Sequence, residues 1–278
     1  MTTVQTDKDM LLKGRSKKRT PELEQFMLSY KNLTLRFAQT PEELDAIQAL
    51  RYQIFGLEMG SKLPTAYLER DIDDFDDFCD HLMVIDTQTD EVVGTYRLLN
   101  PTNAKKAGRL YSAGEFYLDN LTPILGKAIE LGRSCVHEKY RTGTTINLLW
   151  QGLQAYVTLY NCDYLLGCAS VFINNNPAGI HKLTKTLLAK HGAPDNWHVQ
   201  PKKSLAYVPF DENTPEAVMP PLLKGYLRTG VLVCGEPSLD EDFGCVDYFI
   251  VQPMAELAER YQKHLETGQT GWQSSAEI

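Results

Sequence analysis

Ala128-Ile-Glu-Leu-Gly-Arg-Ser-Cys-Val136, followed by His137-Glu-Lys-Tyr-Arg-Thr-Gly-Thr-Thr145 and then Ile146 to Tyr160, reads as a strand, a polar glycine-bearing loop and a helix. Two charges, Glu130 and Arg133, sit inside the strand, where they cost free energy unless paired or used. They are three residues apart, so in an unbroken strand they face opposite sides of the sheet. Gly132 between them permits a β-bulge that re-aims one of them. The loop delivers the chain to a helix N-terminus, where unpaired N–H groups suit an anionic or carbonyl ligand. Arg141-Thr-Gly-Thr-Thr145 lacks the spaced glycines and Lys-Ser/Thr ending of a nucleotide-binding P-loop, and no dinucleotide fingerprint is present. Beyond the loop, Ile146, Leu149, Trp150, Leu153, Val157 and Tyr160 form an amphipathic stripe that belongs to the core.

Strands are expected at Leu33–Phe37, at 81–86 and 91–99 as a hairpin, at 163–169, and at 231–234 paired with 245–251. Thr40-Pro-Glu-Glu43 is a capping box that opens a helix running to about Phe55. Further helices are expected from Asn176-Pro177, over 221–229, and from Pro253 to about His264. Arg97, late in a buried-looking strand, needs a carboxylate. The run Asp71–Asp80 is either a solvated acidic loop or its supplier. The length suits one large α/β domain or two small ones, and with no internal repeat or clear interdomain linker one domain is the simplest reading. The expected organisation is a basic arm (1–30), one domain (31–265) and a polar tail (266–278).

Of the 278 residues, 43% are hydrophobic and 23% charged, and the net charge of −8 argues against a nucleic-acid partner. No apolar run approaches a membrane span, and the polar start lacks the apolar core of a signal peptide. Six cysteines without a C-x-x-C pair fit a reduced, cytoplasmic chain with structural thiols at Cys135 and Cys168. The scattered histidines give no metal site. His81 and Asp86 match an H-x4-D acyltransferase spacing but lie on opposite faces of one strand, so the match is read as chance. The block Lys13, Arg15, Lys17, Lys18, Arg19 is either a solvated tail or a contact with anionic headgroups on the inner face of the membrane.

Glu130–Val136 with Tyr140-Arg141 and Leu149-Trp-Gln-Gly-Leu153 resembles the ornithine N-alpha-acyltransferases of bacterial aminolipid synthesis, which are close to N-acyl amino acid synthases and sometimes labelled hemolysin-like. Phe78–Val84, Val93–Leu99 and Pro220–Arg228 extend the resemblance over about residues 33–263. The stretch Ser170–Pro177 departs from the ornithine enzymes' pattern. The family is similar in turn to acyl-homoserine-lactone synthases. The resemblance implies a GNAT-like acyltransferase fold, a central mixed twisted sheet with splayed strands flanked by helices. It implies that Glu130 and Arg133 are catalytic and that Arg51, Phe55, Asp73, Asp76 and Arg97 bind the amino acid. Leu131, Gly132, Ser134, Cys135, Val136, Arg141, Gly143 and Thr144 would receive the acyl-phosphopantetheine arm of acyl carrier protein, with no metal cofactor. Lys139, Arg141, Lys105, Lys106 and Arg109 would meet the acidic carrier. A lactone-type signal synthase and a membrane-active hemolysin are the alternatives; the missing span and signal peptide argue against the latter.

Overall fold

A computed structural model of the chain describes residues 20–255. It divides into two compact units, one comprising residues up to Leu99 with Gly132–Tyr160, the other Asn100–Leu131 with the residues from Asn161. The strand Ala128–Val136 is continuous, and its residues change unit at Gly132.

In the first unit, antiparallel strands Met27–Tyr30, Leu33–Phe37, Asp80–Asp86 and Glu91–Leu99 lie side by side. The end of Ala128–Val136 follows Glu91–Leu99 in the strand order, with the His137 N–H donating to Val93 O at 2.9 Å. Leu35, Phe37, Leu82 and Val84 have no exposed surface. The helix Gly143–Tyr160 covers them. A Cβ at Gly152 would lie 2.7 Å from Leu35 Cδ2 and 2.8 Å from Leu82 Cδ2, so glycine lets the helix approach the sheet.

The capping box forms as expected: Thr40 accepts from the Glu43 N–H while Glu43 accepts from the Thr40 N–H. The helix Pro41–Arg51 then widens into a π-helical stretch, Tyr52–Glu58. Part of the expected arm is ordered, as the helix Pro21–Gln25 and the edge strand Met27–Tyr30. That strand is exposed along most of its length, so it carries no hydrophobic alternation to read. The basic block and the expected helix after Pro253, save its first residues, fall outside the described residues.

In the second unit, Ala128–Leu131 runs parallel to Tyr164–Gly167, and Tyr164–Phe172 pairs antiparallel with Cys245–Pro253. Ser238–Asp240 and Leu232–Val233 pair with Cys245–Pro253 in turn. The helix Pro177–His191, capped by Asn176, and the helix Pro221–Thr229, ended by Gly230 at φ 94°, match expectation. A helix at Pro101–Ala107 was not anticipated, although Asn100 caps it, Pro101 opens it and Gly108 at φ 77° ends it. The unit thus mixes parallel and antiparallel pairing, with helices beside it.

The parallel ladder ends at Leu131↔Gly167, although the two strands run on to Val136 and Phe172. A Cβ at Gly167 would stand 2.4 Å from Leu131 O, a backbone atom that cannot rotate away. Gly167→Ala is therefore expected to lower unfolding free energy by about 2–3 kcal/mol, as overpacking does. Urea denaturation checks this; a change below about 0.5 kcal/mol would show that the ladder opens freely at its last pair.

Candidate active site

The first unit holds a buried ion cluster. The helix Pro41–Arg51 ends on Arg51, which has no exposed surface. Its Nε donates to Asp71 Oδ2 at 2.8 Å, one terminal nitrogen to Asp76 Oδ1 at 2.8 Å, and the other to Asp71 O at 2.7 Å and Asp76 Oδ2 at 3.2 Å. One turn earlier, Gln48 adds a bond to Asp76 Oδ2 at 2.8 Å. Arg97 donates to Asp73 Oδ1 at 2.6 Å and Asp76 Oδ1 at 3.0 Å. Arg133 donates to Asp71 Oδ2 at 3.1 Å and pairs with Asp73 Oδ2 at 3.4 Å.

Three guanidiniums thus face three carboxylates. Burial alone would push Asp71 and Asp76 up; Arg51 outweighs it, with Arg133 for Asp71 and Arg97 for Asp76, and holds both below the usual carboxylate range. Burial likewise opposes the Arg51 charge, but Asp76 and Asp71 more than offset it. The acidic run is therefore not a solvated loop: Asp71, Asp76 and Asp80 are buried, and Asp80 accepts from the Tyr156 hydroxyl at 2.7 Å.

Arg133 itself sits at φ 48°, a left-handed conformation that costs a side-chain-bearing residue of order 1 kcal/mol or more. This departure from regular strand geometry lies next to Gly132, near which a bulge is expected. The two aspartates on the Arg133 head hold it in place.

His81 is enclosed beside this cluster. Its Nε2–H donates to Asp76 O at 3.0 Å, and Nδ1 has no partner among the described residues. Burial, reinforced by Arg51 and Arg97, brings the imidazole down to about 4 from 6.5. A depressed value means that folding favours the neutral ring. Its contribution is complete above about pH 6.5 and is lost as pH falls towards 4. His81→Gln is expected to flatten the pH dependence of unfolding free energy across that window by up to about 1.4 kcal/mol per pH unit. Parallel wild-type and variant curves from denaturation at several pH values would contradict this. Asp86, the other half of the H-x4-D spacing, accepts from Tyr140 at 2.7 Å, so the two residues have separate partners.

Phe55 lies buried in the π-helical stretch. Cys135 is buried, and its thiol is pushed up to about 12 by burial. Gly143 and Thr144 begin the helix Gly143–Tyr160, whose first-turn N–H groups lie at its positive end. Arg141 donates to Val136 O at 3.0 Å and Glu58 at 2.6 Å.

In the second unit, Glu130 is buried and tied to a tight turn. Oε2 accepts from the Tyr111 N–H at 2.7 Å; Oε1 accepts from the Ser112 N–H at 2.8 Å and the Ser112 hydroxyl at 2.6 Å. The parallel register sets Glu130 beside Leu166, and Cys168, two residues on, interacts with it electrostatically. Burial, then Asp247 beside it, raises the Glu115 carboxyl to about 9, and Asp247 also accepts from Ser170. Asp240, Cys245 and Asp247 place ligand atoms within 4.8 Å of one another, a set able to hold a cation. Scanning for histidine pairs misses this set, because the hairpin register joins it. Asp71, Ser112 and Glu115 were likewise not singled out from the sequence.

Residues 50–151 match the family model described as an acetyltransferase (GNAT) domain. Over 249 residues the chain is 39% identical to the L-ornithine N(alpha)-acyltransferase of Brucella abortus (strain 2308), covering 83% of this chain and 87% of that protein. The L-ornithine N(alpha)-acyltransferase of Rhizobium meliloti (strain 1021) is 40% identical over 248 residues, covering 83% of each. The chain belongs to the L-ornithine N(alpha)-acyltransferase family. A solved structure, the AHL synthase LasI, aligns at 13% identity and TM-score 0.46, over 83% of this chain and 96% of that one. Like other members of the ornithine acyltransferase family, the chain is an enzyme of the acyltransferase class. Among the described residues no helix is long and apolar enough to cross a membrane.

Proposed function

We propose that this acyltransferase moves a long-chain 3-hydroxyacyl group from the phosphopantetheine thioester of acyl carrier protein to the α-amine of ornithine, giving a lyso-aminolipid. The observation that carries the reading is the match over 83% of the chain to ornithine acyltransferases. In the proposed step the amine nitrogen attacks the thioester carbonyl. The tetrahedral oxyanion collapses, the C–S bond breaks, and an amide and a free carrier thiol form. Glu130, directly or through water, takes the proton the amine loses, and the departing sulfur receives one. Backbone N–H groups of Leu131–Val136 polarise the thioester carbonyl, and the arm extends towards Arg141, Gly143 and Thr144.

Of the three clustered arginines, Arg133 has the most exposed side chain, at 14% against 4% for Arg97 and none for Arg51. Arg133 is accordingly proposed to take the substrate carboxylate. Asp71 and Asp73 hold its head, Arg51, Asp76 and Arg97 complete the cluster around those carboxylates, and Phe55 is proposed to line the amino-acid site. Lys105, Lys106 and Arg109 in one unit, and Lys139 and Arg141 in the other, are proposed carrier contacts. The enzyme would work in the cytoplasm, with its basic first residues at the inner membrane face.

The test is to incubate purified protein with 3-hydroxyacyl carrier protein and a panel of amino acids, followed by mass spectrometry. N-acylornithine as the main product supports the reading, and no amide with any amino acid overturns it.

A further inference from the structure

Ser112 has no exposed surface, yet it carries a hydroxyl, which costs free energy in such a place unless it is bonded. That hydroxyl spends its hydrogen on Glu130 Oε1 at 2.6 Å, a short charge-assisted bond, and the Ser112 and Tyr111 N–H groups complete a three-donor grip on the carboxylate.

The turn does not depend on Glu130 for its shape. The Gly114 N–H donates to Tyr111 O at 2.8 Å and the Glu115 N–H to Ser112 O at 3.0 Å. Lys202 bonds Ala113 O at 2.6 Å through Nζ and Glu115 O at 2.7 Å through its N–H, and Ser238 reaches Glu115 O at 3.3 Å. With the turn pinned on its other side, the grip acts on the carboxylate.

We infer that Ser112 is a positioning residue for acyl transfer: its hydroxyl and N–H, with the Tyr111 N–H, hold the Glu130 carboxylate in a fixed orientation for the amine proton. This rests on Glu130 as the proton acceptor. Among the groups around it, Cys168 on the strand Tyr164–Phe172 interacts with Glu130 directly, and Glu115 and Asp247 interact with Cys168. Burial keeps the Cys168 thiol neutral and Glu115 protonated around pH 7. Glu115, a carboxyl of the same unit, has no such grip: its Oε2 has no hydrogen-bond partner among the described residues, and burial and Asp247 keep it in its acid form.

The experiment uses the full chain with Ser112→Ala and Ser112→Thr, measuring kcat, KM for each substrate, and the pH dependence of kcat/KM. Removing a donor from the charged form should move the acid limb of the Ser112→Ala profile up by about one pH unit. The expected kcat loss is about 10-fold, with donor KM within about twofold and the melting temperature little changed. Ser112→Thr, which keeps the hydroxyl, should restore the wild-type limb. Should Ser112→Ala not fold, Ser112→Cys, with its weaker donor, should move the limb the same way. A variant profile that superimposes on wild type, whatever the loss of turnover, overturns the proposal by showing a merely structural serine. Wild-type turnover in Glu130→Gln would instead overturn the Glu130 assignment itself, so the two failures are distinguishable.

Discussion

Glu130→Gln is expected to lower kcat by about 10²–10⁴-fold, the usual contribution of a positioned general base. The change keeps the side-chain volume and removes the charge and the proton-accepting capacity. It also replaces one acceptor by a donor. Both carboxylate oxygens are occupied, Oε2 by the Tyr111 N–H and Oε1 by Ser112, so the amide NH₂ must point at a donor whichever way it turns. A stability loss of about 1–3 kcal/mol therefore accompanies the catalytic one. The two are separated by assaying well below the variant's melting temperature at saturating donor and amino acid. Turnover within about threefold of wild type would remove Glu130 from the chemistry and leave its carboxylate as a buried acceptor for Tyr111 and Ser112.

Arg51→Met is expected to be the most destabilising single change in the first unit, by about 3–5 kcal/mol. A buried ion pair is weak evidence for stability as such, since hydrophobic residues of equal volume do as well. Removing one partner alone is different, because the charges left behind stay buried. Arg51 donates to both Asp71 and Asp76, and neither recovers those bonds from Arg133 or Arg97, which are already engaged. Arg51→Lys should recover only part of the loss, because a point charge on a flexible stem cannot reproduce the fork that spans two carboxylates. Denaturant unfolding reads both variants. If Arg51→Met unfolds at the wild-type midpoint, the cluster is not what ties the helix Pro41–Arg51 to the acidic run.

The elements legible in the sequence were those with a local cause. The Thr40 capping box, the Asn176-Pro177 helix start, the Gly230 stop and the 81–99 hairpin each follow from a few adjacent residues. The charges at Glu130 and Arg133 stood out because a strand interior makes an ionisable residue conspicuous. What stayed hidden depends on tertiary register. Asp71, Asp73 and Asp76 looked alike in an acidic run, and only the geometry shows that Asp71 bridges Arg51 and Arg133. Ser112 and Glu115 lie in a loop without periodicity, and nothing nearby in the chain marks a buried hydroxyl aimed at Glu130. The helix Pro101–Ala107 is a different case: its Asn cap, proline start and glycine stop are all local, but its one buried residue is Asn103, so it has no apolar stripe for periodicity to show. The edge strand Met27–Tyr30 is exposed on most residues and offers no pattern at all.

The most direct measurement is a stoichiometric one: purified enzyme, 3-hydroxyacyl carrier protein and ornithine, with free carrier thiol and N-acylornithine quantified in the same samples. The expected result is one amide formed on the α-nitrogen per thiol released, thiol release that depends on ornithine, and both signals lost together in Glu130→Gln. Thiol release without amide, or the same rate with and without ornithine, would contradict direct transfer from thioester to amine.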